Sequence, residues 1–290
     1  MTRAGIFIGV DRTEGLPELQ DAGLGAARMH EWALSQGMHN KSQALLFCDG
    51  YGNKVEADAV WKAVNDMIRN PDIEQLIVYF AGHGVHYHGK DYWLLSDALD
   101  DPDAAIQVPG SIANARYCGV PHVVFISDVC PAPSHLLSEN PLYGTIVFPN
   151  MGVRVESWPV DCLYARPLEL SWEEASAWQG KDAVFSTAYT TLLLEALQGR
   201  DEELLDRGMD GAYYVSPARL QAFLEHEVPH RLQGMATGPQ IRQAPYAELS
   251  GRSHWLSRVE HLYLPHEPET GEGVGQPGGR TPGAFTRPGM

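Results

Sequence analysis

The sequence predicts an α/β protein built on a mostly parallel central sheet flanked by helices. Two stretches carry that expectation. Leu76-Ile77-Val78-Tyr79-Phe80 is an unbroken apolar run, rich in β-branched and aromatic types, as in a strand buried on both faces. Val123-Val124-Phe125-Ile126 has the same character. Ahead of the first run, shorter apolar stretches alternate with segments of helical periodicity. Such an alternation implies parallel strands joined by right-handed crossovers.

Gly5 to Val10 supplies the first strand and ends at Asp11. Leu19, Ala22, Ala26, Met29 and Ala33 then recur at helical spacing until Gly37 closes the helix. Ala44 to Cys48 is the second strand, stopped by Asp49-Gly50. Val60, Trp61, Val64, Met67 and Ile68 describe one face of a second helix, ended by Asn70-Pro71. The central strand is expected to stop at Gly82. A short strand at Tyr92 to Leu95, the acidic loop Asp97 to Asp103 and a helical segment near Ile106 to Tyr117 lead into the strand that ends at Cys130.

Residues 131 to 182 are the least regular, interrupted by prolines, with a strand-like piece at Gly144 to Phe148. Within them Ser171-Trp172-Glu173-Glu174 reads as a capping box that opens a short helix closed by Gly180. Ala183 to Ser186 reads as another buried strand and Thr190 to Leu197 as a helix. Ser216-Pro217 is an N-cap followed by proline at the first helical position. One domain over residues 1–264 is expected, with a Pro- and Gly-rich tail over 265–290 whose composition is that of disordered chain.

At 290 residues and 44% hydrophobic, the chain can bury a sizeable core. The net charge of −16 disfavours nucleic acid and anionic membrane as partners. No apolar run approaches the roughly 18 residues of a membrane span. Met1-Thr2-Arg3 passes directly into a strand, unlike a signal peptide. The four cysteines, Cys48, Cys118, Cys130 and Cys162, form no CxxC pair. A disulfide framework and a zinc ribbon are therefore poor readings, and a cytoplasmic setting is expected.

The chemistry gathers at two strand ends. The central run leads into Gly82-His83-Gly84, and the second into Asp128-Val129-Cys130. Carboxyl ends of strands are where open α/β sheets bind ligands. A lone cysteine or histidine there is commonly structural, but the two together make a candidate nucleophile and base. Asp128, two residues before Cys130, points to the same face of an extended strand.

Phe80-Ala81-Gly82-His83-Gly84 followed by Asp128-Val129-Cys130 resembles the caspase-like cysteine peptidases: caspases, metacaspases and their bacterial relatives. Looser similarity extends to Ala183 to Ala188 with Glu195, to Gly211 to Leu224 and to Gln243-Ala244-Pro245, so that it spans residues 5 to 260. The resemblance implies a caspase-like fold in which Cys130 is the nucleophile and His83 the general acid and base. It implies an oxyanion hole made by the backbone N–H groups of Gly84 and Cys130, and no cofactor. Asp128 would help form an acidic first specificity pocket (S1), so that protein substrates are cut after Arg or Lys. In many relatives the irregular connection is cut or rearranged on activation; here Arg154, Arg166 and Lys181 are the basic positions within it. Bacterial relatives often act as effectors in antiviral defence or programmed death, released by an upstream sensor or regulator. Two departures stand out. Pro131-Ala132-Pro133 replaces the His-Ser-Gly type sequence usual in metacaspase-like enzymes, and Gly25 stands where many basic-specific relatives carry an Asp.

Other readings stay open. His83, His86, His88 and Asp91 resemble a metal site, which would make a metal-dependent hydrolase, although His86 and His88 fall in a Gly-flanked loop. Asp97, Asp100, Asp101 and Asp103 could take Ca2+, as in some metacaspases. They lack the Gly and closing Glu of an EF-hand, and such loops are usually solvated. The third reading is a catalytically impaired, caspase-like binding or scaffold protein. The intact His–Cys pair opposes it and Pro131 favours it.

Overall fold

The computed structural model describes residues 1–39, 42–132, 141–152, 156–165, 182–235, 244–251 and 254–259. Its main sheet has the order β10-β7-β6-β3-β1-β2. Strands β1 (Thr2–Gly9), β2 (Ala44–Cys48), β3 (Ile73–Tyr87), β6 (His122–Pro131) and β7 (Val160–Tyr164) run parallel, and β10 (Tyr246–Glu248) closes one edge antiparallel. Beyond His83, β3 turns into a hairpin with β4 (Lys90–Leu94), which pairs with β5 (Ala105–Gln107).

The unbroken apolar run of β3 follows from its place at the centre. Ile77, Tyr79 and Ala81 enter one core cluster, shared with α1 (Ala22–Ser35), α4 (Asp182–Leu197) and α5 (Pro217–Met235). Leu76, Val78 and Phe80 enter another, shared with α2 (Ala57–Ile68) and α3 (Val108–Ala115). Alternation from Leu76 to Ala81 therefore fills both faces, and no polar position is left within that run. On α2, Val60, Ala63, Val64 and Met67 are buried, while Trp61, expected on that face, stays 38% exposed.

Three expectations need correction, and one element was not anticipated. The central strand does not stop at Gly82: it continues to Tyr87, because the hairpin with β4 supplies new pairing. Ala183 to Ser186 opens α4 and is not a strand. Short apolar runs do not distinguish the two, and nothing from Asp182 to Leu197 breaks a helix. The irregular connection contains β7, while Gly144 to Phe148 contributes only a bridge between Thr145 and Ile106. A small antiparallel sheet, β8 (Leu205–Arg207), β9 (Tyr213–Val215) and β11 (Ser257–Val259), had no clear sequence signal because each strand has 3 residues. The capping box at Ser171 and the tail lie outside the described residues.

At the amino-terminal edge of the sheet, a buried polar row crosses the strands. Arg3 Nε donates to Gln75 Oε1 at 2.7 Å, and Gln75 Nε2 donates to His122 Nδ1 at 2.8 Å. His122 is therefore protonated at Nε2, which donates to Asp161 Oδ2 at 2.9 Å. The Ser250 N–H donates to the other Asp161 oxygen at 2.6 Å. Burial pushes the Asp161 carboxyl up, but the bonds from His122 and Ser250 outweigh it and hold the group below its ordinary value. Its stabilisation is thus present above the unfolded carboxyl pKa, about 3.9, and is lost as pH falls through the lower folded value. Asp161→Ala leaves two donors unpaired and is expected to destabilise the fold by about 2–4 kcal/mol at neutral pH. Urea unfolding at pH 7 and pH 3 checks this: the deficit should shrink in acid.

Candidate active site

β3 and β6 lie side by side, and their register pairs His83 with Cys130. Adjacent strands are about 4.8 Å apart, so the two side chains leave the sheet next to one another. Cys130 belongs to the cluster on the α1 side of the sheet, together with Val124 and Ile126 of the same strand. Both residues are buried, His83 at 3% and Cys130 at 4% exposure. The glycines around His83 instead clear the opposite face of the sheet, against the cluster that holds Phe80 and Val129. A Cβ on Gly82 would meet Phe80 Cζ at 2.7 Å, and one on Gly84 would meet Val129 Cγ1 at 3.1 Å.

His83 is oriented by a backbone carbonyl. Its Nε2 lies 2.8 Å from Pro17 O, in the loop between β1 and α1. A carbonyl only accepts, so Nε2 carries the proton and Nδ1 is the basic nitrogen. No side-chain motif announces a carbonyl partner, and the sequence reading missed it.

Asp128 is buried at 2% exposure and accepts a hydrogen bond from Thr190 Oγ1 at 2.5 Å. The Tyr79 hydroxyl in turn lies 2.6 Å from Thr190 Oγ1, completing a buried chain Tyr79–Thr190–Asp128. Burial, with the Asp128 charge beside them, pushes the Tyr79 and Tyr189 phenols well above their ordinary range, so both remain protonated. The departure at Gly25 now has a cause. A Cβ there would come within 3.0 Å of the Tyr79 hydroxyl, which occupies the space beside the helix. Tyr79, Thr190 and Tyr189 were not singled out in sequence, where they read as ordinary core.

The ladder between β3 and β6 continues past the pair. The Ala132 N–H donates to Gly84 O at 2.7 Å, and Gly84 pairs with Pro131. Because Pro131 has no N–H, that pairing is made by its neighbours. The Gly84 N–H faces the Cys130 carbonyl, and the Cys130 N–H faces the Gly82 carbonyl. Both expected oxyanion donors thus point into the sheet. The peptide of Pro131 points the other way, toward the side where β7 has ended, its last bond being Ala165 N–H to Ser127 O at 2.8 Å. A proline is tolerated there because no ladder bond is lost.

The other thiols are poor nucleophiles. Burial, helped by Asp11 and Asp49, pushes the Cys48 thiol up to about 11. Burial pushes Cys162 up to about 12 and raises Cys118 as well. The histidines of the β3–β4 hairpin diverge: His86 Nδ1 pairs with Asp91 at 2.6 Å, and His88 packs edge-on against Tyr87. Among the described residues, no three His, Cys, Asp or Glu side chains gather at metal-binding distance. Arg154, Arg166 and Lys181 lie outside the described residues.

No family model matches this sequence, and no curated protein does. The fold has clear counterparts. Over 89% of this chain and 82% of the other, it is similar to the Drosophila initiator caspase Dronc, with a TM-score of 0.51 and 10% identity. It is similar also to a protein of Geobacter sulfurreducens, over 88% of this chain and 95% of that one, with a TM-score of 0.53 and 12% identity. The architecture is therefore caspase-like, a mostly parallel sheet between two helical layers. At such identities the likeness is one of fold. Among the described residues, no helix is long and apolar enough to cross a membrane.

Proposed function

We propose that the protein is a cysteine endopeptidase in which Cys130 attacks the scissile carbonyl and His83 transfers the proton. The observation that carries this reading is the pairing of His83 with Cys130 in register, with His83 Nε2 held by the Pro17 carbonyl. That bond leaves Nδ1 to take the thiol proton and return it to the departing amine. The thiolate forms the acyl-enzyme bond as the amide C–N bond breaks, and water then releases the acid.

The ladder around the pair makes the described arrangement a closed one. For Gly84 and Cys130 to stabilise an oxyanion, their N–H groups must leave the sheet, which parts the β3–β6 pairing beyond Phe80. Partner binding without catalysis is the second reading, favoured by the same closure. Incubation with a mixed peptide library separates the two. Cleavage by the wild type and none by Cys130→Ala supports the peptidase, whereas cleavage by neither supports the binding protein.

The substrate preference proposed is Arg or Lys before the cut, with Asp128 as the acidic group. Support comes from its position on the face of Cys130 and from its burial, which strengthens a charge-assisted hydrogen bond. The Tyr79–Thr190 chain must part for a guanidinium to reach it. The setting proposed is cytoplasmic, as an effector in bacterial defence or programmed death that answers to an upstream sensor or regulator, acting on a protein and without a cofactor. Self-cleavage at Arg154, Arg166 or Lys181 is the matching route of activation. Mass spectrometry is expected to find cuts there in the purified wild type and none in Cys130→Ala. An intact and fully active wild-type chain rules processing out as a requirement.

A further inference from the structure

One hydroxyl of α4 joins the two strands that carry the site. Thr190 Oγ1 donates its proton to Asp128 Oδ2 at 2.5 Å, so the Tyr79 hydroxyl, 2.6 Å away, donates to Thr190 in turn. The first bond ties α4 to β6, the strand of Cys130. The second ties in β3, the strand of His83. All three side chains are buried. Hydrogen bonds in series polarise one another, and an ionised acceptor strengthens the last of them.

The place of this chain along the strands gives it leverage. The register sets Tyr79 beside Ile126 and Ala81 beside Asp128. The bonds therefore sit at the foot of the segment, beyond Phe80, whose pairing has to part before the Gly84 and Cys130 N–H groups can turn outward. Within that segment His83 and Cys130 are buried, and the Ala132 N–H closes on Gly84 O. Each group that a substrate needs is thus held by an internal partner. The carboxylate is held by Thr190, and the oxyanion donors by strand carbonyls.

We propose that Thr190 is a latch that keeps Asp128 and the His83–Cys130 pair in the closed arrangement, and that a guanidinium or ammonium group of the substrate releases it by taking the Asp128 oxygen. The inference rests on the dyad and the acidic pocket proposed above. Removing the Thr190 hydroxyl penalises only the closed arrangement, because a buried carboxylate is left short of a donor and a solvated one is not. A cation that binds only the open arrangement shifts the population in the same direction. A basic side chain would then open the site in which its own peptide is cut, and a peptide without one would leave the site shut.

The rate at which iodoacetamide alkylates Cys130, followed by peptide mass spectrometry, reads the opening without needing peptidase activity. Thr190→Val should raise it about tenfold or more, and Tyr79→Phe by less. Thr190→Ser, which restores the donor, should return it to the wild-type rate. Cys118 and Cys162 are buried on the other face of the sheet and report general loosening, so they should stay unlabelled throughout. An unchanged or slower rate in Thr190→Val overturns the latch. So does labelling of Cys118 and Cys162 that rises together with that of Cys130. Agmatine, an alkyl guanidinium, should raise the wild-type rate about threefold or more and have no effect on Asp128→Asn. No effect on the wild type, or an equal effect on Asp128→Asn, overturns release by a cation at Asp128. If Thr190→Val opens the site and no form of the protein cleaves peptides, the peptidase reading fails and the latch stands.

Discussion

Cys130→Ala and His83→Ala should each lower kcat/KM for a cleaved peptide by at least about three decades, because residues that act as a unit fail together. The double variant should then be little worse than either single one. Folding should survive, since Cys130→Ala removes one buried sulfur and the Pro17 carbonyl freed by His83→Ala lies in an exposed loop that water can reach. Kinetics with a peptide taken from the library, alongside thermal unfolding of each variant, measures both. Cys48, Cys118 and Cys162 serve as internal controls. Their thiols are raised by burial, and Cys48→Ala and Cys118→Ala should keep their activity. If one of those abolished cleavage while Cys130→Ala did not, the assignment of the nucleophile would be wrong.

Asp128→Asn should reduce cleavage after Arg and Lys by roughly two to three decades and leave other cleavage nearly unchanged. The carboxylate supplies charge and, toward Arg, two parallel acceptors, both of which the amide lacks. Thr190→Val isolates the neighbouring effect: it frees an Asp128 oxygen from its 2.5 Å bond without touching the charge. Fluorogenic peptides ending in Arg, Lys, Asp and Leu compare the variants. Preferential release after Asp or Leu by the wild type refutes the acidic-pocket assignment, and Asp128 would then serve only the buried chain with Thr190 and Tyr79.

These expectations draw on different levels of the chain. The apolar runs at Leu76 and Val123 determined by themselves that two strands lie at the centre, since only burial on both faces tolerates so little polarity. The His and Cys at the ends of those runs were legible for the same reason, because adjacent parallel strands carry their last residues to one edge. The helices α1 and α2 were legible from their periodicity and stops, and α5 from its Ser216-Pro217 start. Where a run was short and apolar throughout, as at Ala183 to Ser186, the strand reading failed, because such a run does not distinguish strand from helix and the helix runs on to Leu197.

Other features exist only in three dimensions. The Pro17 carbonyl that orients His83 belongs to a backbone any residue could have supplied. The Tyr79–Thr190–Asp128 chain joins a central strand to a helix far along the sequence, and the row Arg3–Gln75–His122–Asp161 joins the starts of four strands. Register brought those groups together, and no local pattern encodes register between distant segments. Pro131 shows both levels at once. Its sequence announces a missing N–H, but only the pairing of β6 reveals that the gap falls on the side away from β3, where the ladder does not need it.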